Sequence, residues 1–328
     1  MKILFFTYPI AFVTPGGGEI QLLQTRKALQ ALGVQVDLFD MWNPNITNYD
    51  VIHLFSVQAG VRQLQMQAHE RGIKVVNSPI MWISKGAGNY DMYNLYSVIA
   101  NSDLVLPNSI AEKNAFLDFY DLPAEKYHVA YNGIDPAELK PVSSELFTKQ
   151  FHIKEKSYLL CVANIEHRKN QYRLIEAANK LNMPLVLIGH VRDQNYFAEC
   201  QKIMGENIHY VGALPHNSDL LKSAFSGCKM HILPSLLETP GLSSMEAAAL
   251  GAPIVSTNVG SAHEYFSDFI QYCDPLSVDS ICHAITQTIA TGVDTKQLSQ
   301  RIHDQFTWKN TAEQTLAAYE HILSGVMA

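Results

Sequence analysis

The chain has 328 residues, 47% of them hydrophobic and 17% charged, with a formal net charge of −7. That length can bury a sizeable core and favours two domains over one. The acidic balance argues against a nucleic-acid backbone as principal partner and gives no general attraction to anionic lipid. Five cysteines, Cys161, Cys200, Cys228, Cys273 and Cys282, lie in or beside apolar stretches with no CxxC spacing, which reads as reduced core thiols of a cytoplasmic protein.

The opening apolar run, residues 2–13, has the hydropathy of a signal-peptide core, yet Pro9 and the glycine loop that follows fit a first buried strand better. No other run is long enough to span a bilayer. Strand patterns near residues 3–7, 36–39, 51–55, 74–77, 104–107 and 128–131 alternate with helical patterns near 19–32, 61–71 and 109–120. The last of these helices is amphipathic but not basic, so it lends no support to peripheral membrane contact. A second set of strands starts at 158–162 and continues at 185–189, 209–211, 230–233 and 254–256. Such alternation predicts an α/β chain with two doubly wound parallel sheets, whose ligand sites lie at the carboxyl ends of the strands. Between the sets, residues 136–156 lose apolar periodicity and gather charge and proline, which places a hinge and an interdomain cleft there.

The first strand is followed by Gly16-Gly17-Gly18-Glu19, glycines that permit close backbone approach to a phosphate or an acceptor at a helix N-terminus. As a dinucleotide fingerprint the segment fails, because the spacing requires glycine where Gln21 stands. After the first strand of the second set comes Asn164-Ile-Glu-His-Arg-Lys-Asn170, in which Arg168 and Lys169 could face a leaving diphosphate.

The run 233–255 carries the most chemistry. It reads as a buried strand, a turn marked by Pro240 and Gly241, a short helix and a second apolar strand, with Glu238 and Glu246 separated by seven residues. A helix starting near Leu242 would leave the amides of Gly241, Leu242 and Ser243 as donors at the positive end of a helix dipole, where a diphosphate binds. A carboxylate accepts two hydrogen bonds side by side, which suits a vicinal diol such as that of a ribose. Asp-x-Asp, His-x-x-x-His and clustered carboxylates with metal-ligand spacing are absent from the sequence, and the helix N-terminus with Lys169 and Arg168 can neutralise a diphosphate without a metal ion.

These residues resemble the signature of the family 4 retaining glycosyltransferases, which have the GT-B fold of two Rossmann-like domains. The resemblance extends over essentially the whole chain. It implies a nucleotide-diphosphate-sugar donor, an acceptor of unknown identity, no cofactor and no metal. Domains are expected at 1–142 on the acceptor side and 150–305 on the donor side, the helix 306–328 crossing back onto the first with Trp308, Ala312, Leu316, Tyr319 and Leu323 on one face.

By the same resemblance Glu238 lies by the donor sugar, Glu246 grips the ribose, Lys169 and Arg168 face the diphosphate, and Gly17 lies beside the phosphates. Gly189 and the loop Val211-Gly-Ala-Leu214-Pro215 would cradle diphosphate and base. Two departures stand out: Asn164 replaces a common arginine, and the stretch Val75-Val-Asn-Ser-Pro-Ile-Met-Trp82 lacks the family's histidine. His53 is the nearest substitute, although a structural histidine is the simpler reading, and Trp82 could stack on a sugar. With Gly16 and Gly18 these form the expected acceptor side. A location at the inner face of the membrane stays open, as does the acceptor. Two other readings share the architecture: a non-hydrolysing nucleotide-sugar epimerase, and a degenerate nucleotide-sugar-binding subunit.

Overall fold

A computed structural model of the chain describes residues 1–58, 60–83 and 91–325. It divides into two compact units, Met1–Gly133 with Trp308–Ala328, and Ile134–Thr307.

The first unit is built on β1 (Lys2–Phe6), α1 (Gly17–Ala31), β2 (Gln35–Leu38), β3 (Val51–Leu54), α2 (Val61–His69), β4 (Lys74–Asn77), α3 (Met92–Asn101), β5 (Leu104–Val105) and α4 (Ile110–Phe119). Its five strands pair in parallel in the order β2-β1-β3-β4-β5. Successive residues of β1 alternate between two cores: Leu4 and Phe6 pack with Ile52, Leu54 and Val75 on one face, Ile3 and Phe5 with Val36, Val51 and Val76 on the other. Burial on both faces is what makes parallel strands read as continuous apolar runs. Each such side chain contributes about 1.5–3 kcal/mol.

The expected strand at 128–131 is not one. His128 N and Ala130 N donate to Val105 O and Pro107 O at 2.9 and 3.0 Å, but β5 ends at Val105, before a proline that cannot donate, so no ladder extends. The helix α3 is additional to those expected, and Asp91 caps it by accepting from Asn94 N at 3.0 Å.

The second unit contains α5 (Glu145–Gln150), β6 (Leu159–Val162), α6 (Gln171–Lys180), β7 (Leu185–Ile188), α7 (Gln194–Ile203), β8 (Ile208–Tyr210), α8 (Asp219–Gly227), β9 (Met230–Leu233), α9 (Leu242–Ala249), β10 (Ile254–Thr257), α10 (Ala262–Phe266), β11 (Gln271–Cys273), α11 (Val278–Thr291) and α12 (Thr295–Gln305). Its parallel sheet runs β11-β10-β9-β6-β7-β8. Strand order therefore reverses between β6 and β9, and in such sheets the ligand crevice opens beyond the carboxyl ends of the strands at that switch point.

The division between units falls at Gly133, earlier than the expected boundary at 142, and the segment 136–156 is not an open hinge. Phe147 of α5 is fully buried, its amide donates to Ser223 Oγ of α8 at 2.9 Å, and that hydroxyl donates to Ser143 O at 2.7 Å. Helix α13 (Trp308–Leu323) belongs to the first unit. Ala312, Ala318 and Tyr319 pack into the core that holds Ile3 and Leu22, and Thr311 Oγ1 donates to Tyr131 O at 2.6 Å. Residues 326–328 of the expected 306–328 helix lie outside the described residues.

All five cysteines are buried and free, and burial pushes the thiols of Cys161, Cys228 and Cys273 up to about 12. Among the described residues no helix is long and apolar enough to cross a membrane.

Candidate functional site

Two loops meet at the switch point of the second sheet, one leaving β6 and one leaving β9. The first holds Lys169 and Arg168 in a single 3₁₀ turn, His167–Lys169, which closes at Asn170 with φ of 61°. That left-handed conformation is open to asparagine as well as to glycine. The side chain then does more than glycine can: its Nδ2 donates to Pro234 O at 2.9 Å and Pro275 O at 2.8 Å, tying three strand-end loops together.

The second loop carries Glu238, only 3% exposed. Its backbone pairs with the turn after β10, Glu238 N donating to Val259 O and Ser261 N to Glu238 O. A Cβ on Gly260, whose φ is +107°, would sit 2.1 Å from the Glu238 carbonyl oxygen, so the turn admits only glycine. Gly241 has φ of +90°, and a Cβ there would lie 2.9 Å from Leu233 and 3.3 Å from Glu238 Oε2. Glu238 is thus boxed in by two glycines.

Lys169 Nζ donates to Glu238 Oε1 at 2.5 Å, and Arg168 stands 3.8 Å from the same oxygen. Burial works against charge on both partners. For Lys169 burial dominates and its ammonium is pushed below the usual range. At Glu238 burial is outweighed by Lys169 and Arg168, which hold the carboxyl below the usual carboxylate range. The result is a buried, ionised carboxylate with fixed orientation. Arg168 is half exposed and also binds Glu166 at 3.1 Å, whose other oxygen faces Arg192 at 3.6 Å. Cations and carboxylates therefore alternate along Lys169, Glu238, Arg168, Glu166 and Arg192.

Helix α9 starts at Leu242 with Gly241 as its N-cap, so the first amides of the helix have no intrahelical acceptor. Its Glu246, 9% exposed, accepts or shares a hydrogen bond with His216 Nε2 at 2.7 Å. His216 is on the loop after β8 that also holds the half-buried Leu214. Gly189, at the end of β7, cannot be replaced: a Cβ there would fall 1.9 Å from the Ala163 carbonyl oxygen, on the loop that carries Asn164. Asn164 itself accepts through its carbonyl from Gln171 Nε2 at 2.9 Å.

The structure thus brings Glu238, Lys169, Arg168, Gly241, Leu242 and Ser243 to one end of the β6/β9 switch point. The residues that sequence reasoning missed are His216, Glu166, Arg192 and Gly260. Two had a nearby signal: Glu166 lies within the run 164–170, and His216 follows the loop 211–215.

In the first unit, Gly16 caps α1 and its amide donates to Glu19 Oε2 at 2.7 Å, while Gly17 and Gly18 form the first turn. The glycines therefore open a helix rather than a free loop. His53 is 1% exposed, with Nδ1 at 2.6 Å from Tyr319 Oη and Nε2 at 2.9 Å from Ser78 Oγ. With both ring nitrogens taken and burial driving its pKa down to about 3, His53 is a core residue and not an acceptor-side group. Trp82 is half-buried in the loop after β4. Among the described residues no group of three or more His, Cys, Asp or Glu is arranged to hold a metal ion.

Residues 142–304 match the family described as "Glycosyl transferases group 1". The O-antigen chain mannosyltransferase B of Escherichia coli is 25% identical over 69% of this chain and 63% of its own length. The D-inositol 3-phosphate glycosyltransferase of Paenarthrobacter aurescens (strain TC1) is 22% identical over 70% of this chain and 60% of its own. The chain thus spans about three fifths of these curated relatives.

Among solved structures, the sucrose-phosphate synthase of Thermosynechococcus elongatus superposes with a TM-score of 0.82 at 17% identity, covering 99% of this chain and 100% of that one. Anabaena Alr3699/HepE in complex with UDP and glucose does so with a TM-score of 0.82 at 18% identity and the same coverage. Likeness at that identity is likeness of fold, and the fold is GT-B. Over residues 142–304, the chain is similar to the glycosyl transferases group 1 family.

Proposed function

We propose that this chain is a retaining glycosyltransferase of family 4, moving a sugar from a nucleotide diphosphate to an acceptor hydroxyl without a metal ion. The observation that carries the reading is the buried Lys169–Glu238 pair at the β6/β9 switch point, beside the open N-terminus of α9. A carboxylate held below its usual range is a poor proton acceptor, so Glu238 acts as a fixed anion that orients the sugar and supports positive charge at its anomeric carbon. Lys169 and Arg168, with the first amides of α9, take the diphosphate as charge develops on it. The acceptor oxygen attacks from the side on which diphosphate leaves, the bond to the phosphate oxygen breaks, and that oxygen takes the acceptor proton. Glu246 binds the ribose diol, and Gly189 and the loop of Leu214 line the nucleotide.

Relatives named as glycosyltransferases support the reaction class, and the UDP and UDP-glucose of the Anabaena complexes put uridine nucleotides first among donors to try. Gly16, Gly18 and Trp82 are assigned to the acceptor and Gly17 to the donor phosphates, and the protein is assigned to the cytoplasm.

The test is a calorimetric and thermal-shift panel of UDP-, GDP-, ADP- and dTDP-sugars, with a CMP-sugar as monophosphate control, since a ligand of the native state raises its stability. One donor should bind, and Glu246→Ala should weaken it. Glu238→Ala should instead lower kcat by about a hundredfold with donor affinity little changed. Turnover should survive EDTA. No binder in the panel, or equal small effects at both acids, would sink the proposal.

A further inference from the structure

We propose that His216 is the positioning residue of Glu246, fixing its carboxylate for the ribose and making nucleotide affinity titrate with the imidazole. The inference rests on the donor reading above and adds to it a residue and a pH dependence.

Glu246 and His216 come from different elements, α9 and the loop between β8 and α8, and meet at 2.7 Å. Among the described residues only Oε1 is engaged, so Oε2 stays available as an acceptor. A side chain already held in one rotamer gives up less freedom when a ligand binds. The hold is coupled to the nucleotide's surroundings, because the loop carrying His216 also carries Leu214, and Ser218, two residues on, caps α8 by accepting from Leu221 N at 3.3 Å.

The charged groups that face the imidazole come from two directions. On one side is Glu246. On the other is Glu138, whose carboxylate accepts from the Asn217 side chain; Lys222 reaches the Glu138 carbonyl at 3.4 Å and is itself paired with Asp219 at 2.8 Å. Burial opposes protonation of His216, but the Glu246 hydrogen bond, its charge and that of Glu138 outweigh burial and hold the imidazole above its ordinary range. With the side chain 31% exposed, protons exchange freely with solvent. The protonated imidazole makes a charge-assisted bond, roughly twice as strong as its neutral counterpart. The hold on Glu246 is therefore fully present at low pH and weakens as pH rises through the raised pKa of His216.

The experiment follows UDP and GDP binding by calorimetry from pH 5.5 to 9 in the wild-type chain, His216→Ala and His216→Gln, together with the His216 ring titration by NMR in wild type and Glu246→Gln. His216→Ala should weaken nucleotide binding by about tenfold at pH 6. His216→Gln, whose amide nitrogen can donate from the same place, should regain most of that affinity and lose the pH dependence. The wild-type ring should titrate above an ordinary histidine and fall back in Glu246→Gln. Nucleotide binding unchanged in His216→Ala, or a ring pKa unmoved by Glu246→Gln, overturns the inference. A wild-type chain that binds neither nucleotide while its ring pKa still depends on Glu246 overturns the donor reading instead.

Discussion

Glu238 is buried and ionised, and its nearest counter-charge is one lysine. Removing that lysine strands a carboxylate in a site 3% open to water, while Arg168 remains at 3.8 Å to offset part of the loss. Lys169→Met is expected to destabilise the fold by about 2–4 kcal/mol, less than a fully isolated buried charge would. Adding Glu238→Gln to that variant should recover much of the difference, since both ends of the pair are then gone. Urea denaturation of the two single variants and the double one measures the coupling, and strict additivity would count against the pair. Glu238 and Lys169 were legible in the sequence because each lies in a short run whose neighbours fix its geometry. His216 and Gly260 were not, since each acquires its role from an element far along the chain: α9 for His216, and the β9 loop for Gly260.

Two central strands each carry a histidine, His53 on β3 and His231 on β9. Both are fully enclosed, and burial drives each pKa down to about 3. The unfolded chain binds protons at these rings below about pH 6.5, whereas the folded chain does so only near pH 3. The stability that these two neutral rings contribute is therefore fully present above pH 6.5 and is lost progressively as pH falls through that window. Urea midpoints should drop between pH 6.5 and 4 while the NMR signals of both rings stay neutral; rings that titrate near pH 6 in the folded state would contradict the assignment.

A smaller effect belongs to α4, where Ser109 Oγ accepts from Glu112 N at 2.9 Å. Ser109→Ala should cost about 1 kcal/mol, read as a shift in Tm without change in the fold by circular dichroism. At this scale the strands of four and five residues were readable. The exceptions have physical causes. β11 is three residues long and is defined by its register with β10, from Val255 opposite Gln271 to Thr257 opposite Cys273. α5 buries one aromatic, Phe147, next to the exposed Leu146, and its six residues are too few for a periodicity to mark it.

Strand orders β2-β1-β3-β4-β5 and β11-β10-β9-β6-β7-β8 give each unit its own core, and the alternation of strand and helix patterns sufficed to foresee two parallel sheets. The place where the chain passes from one unit to the other was less legible, because residues 136–156 are polar in composition yet folded onto α8. The two units differ in a testable way. A fragment of residues 134–307 contains all of its unit and should unfold cooperatively by itself. A fragment of residues 1–133 lacks Ala312, Ala318 and Tyr319 from the core beside Ile3, and His53 loses its Tyr319 partner. It should be recovered insoluble, and a soluble, cooperatively unfolding 1–133 would show that α13 is dispensable.

That last helix also sets the order of events on the ribosome. Domains of a growing chain ordinarily fold in sequence, the first to emerge folding first. Here the first sheet emerges early but waits for Trp308–Leu323, which leaves the exit tunnel only after residues 134–307, so the second unit is finished while the first is still incomplete. Throughout the translation of residues 134–307, the nascent N-terminal half presents the uncovered face of Ile3, Phe5 and Val51, and it is this intermediate, not the finished protein, that calls for chaperone protection.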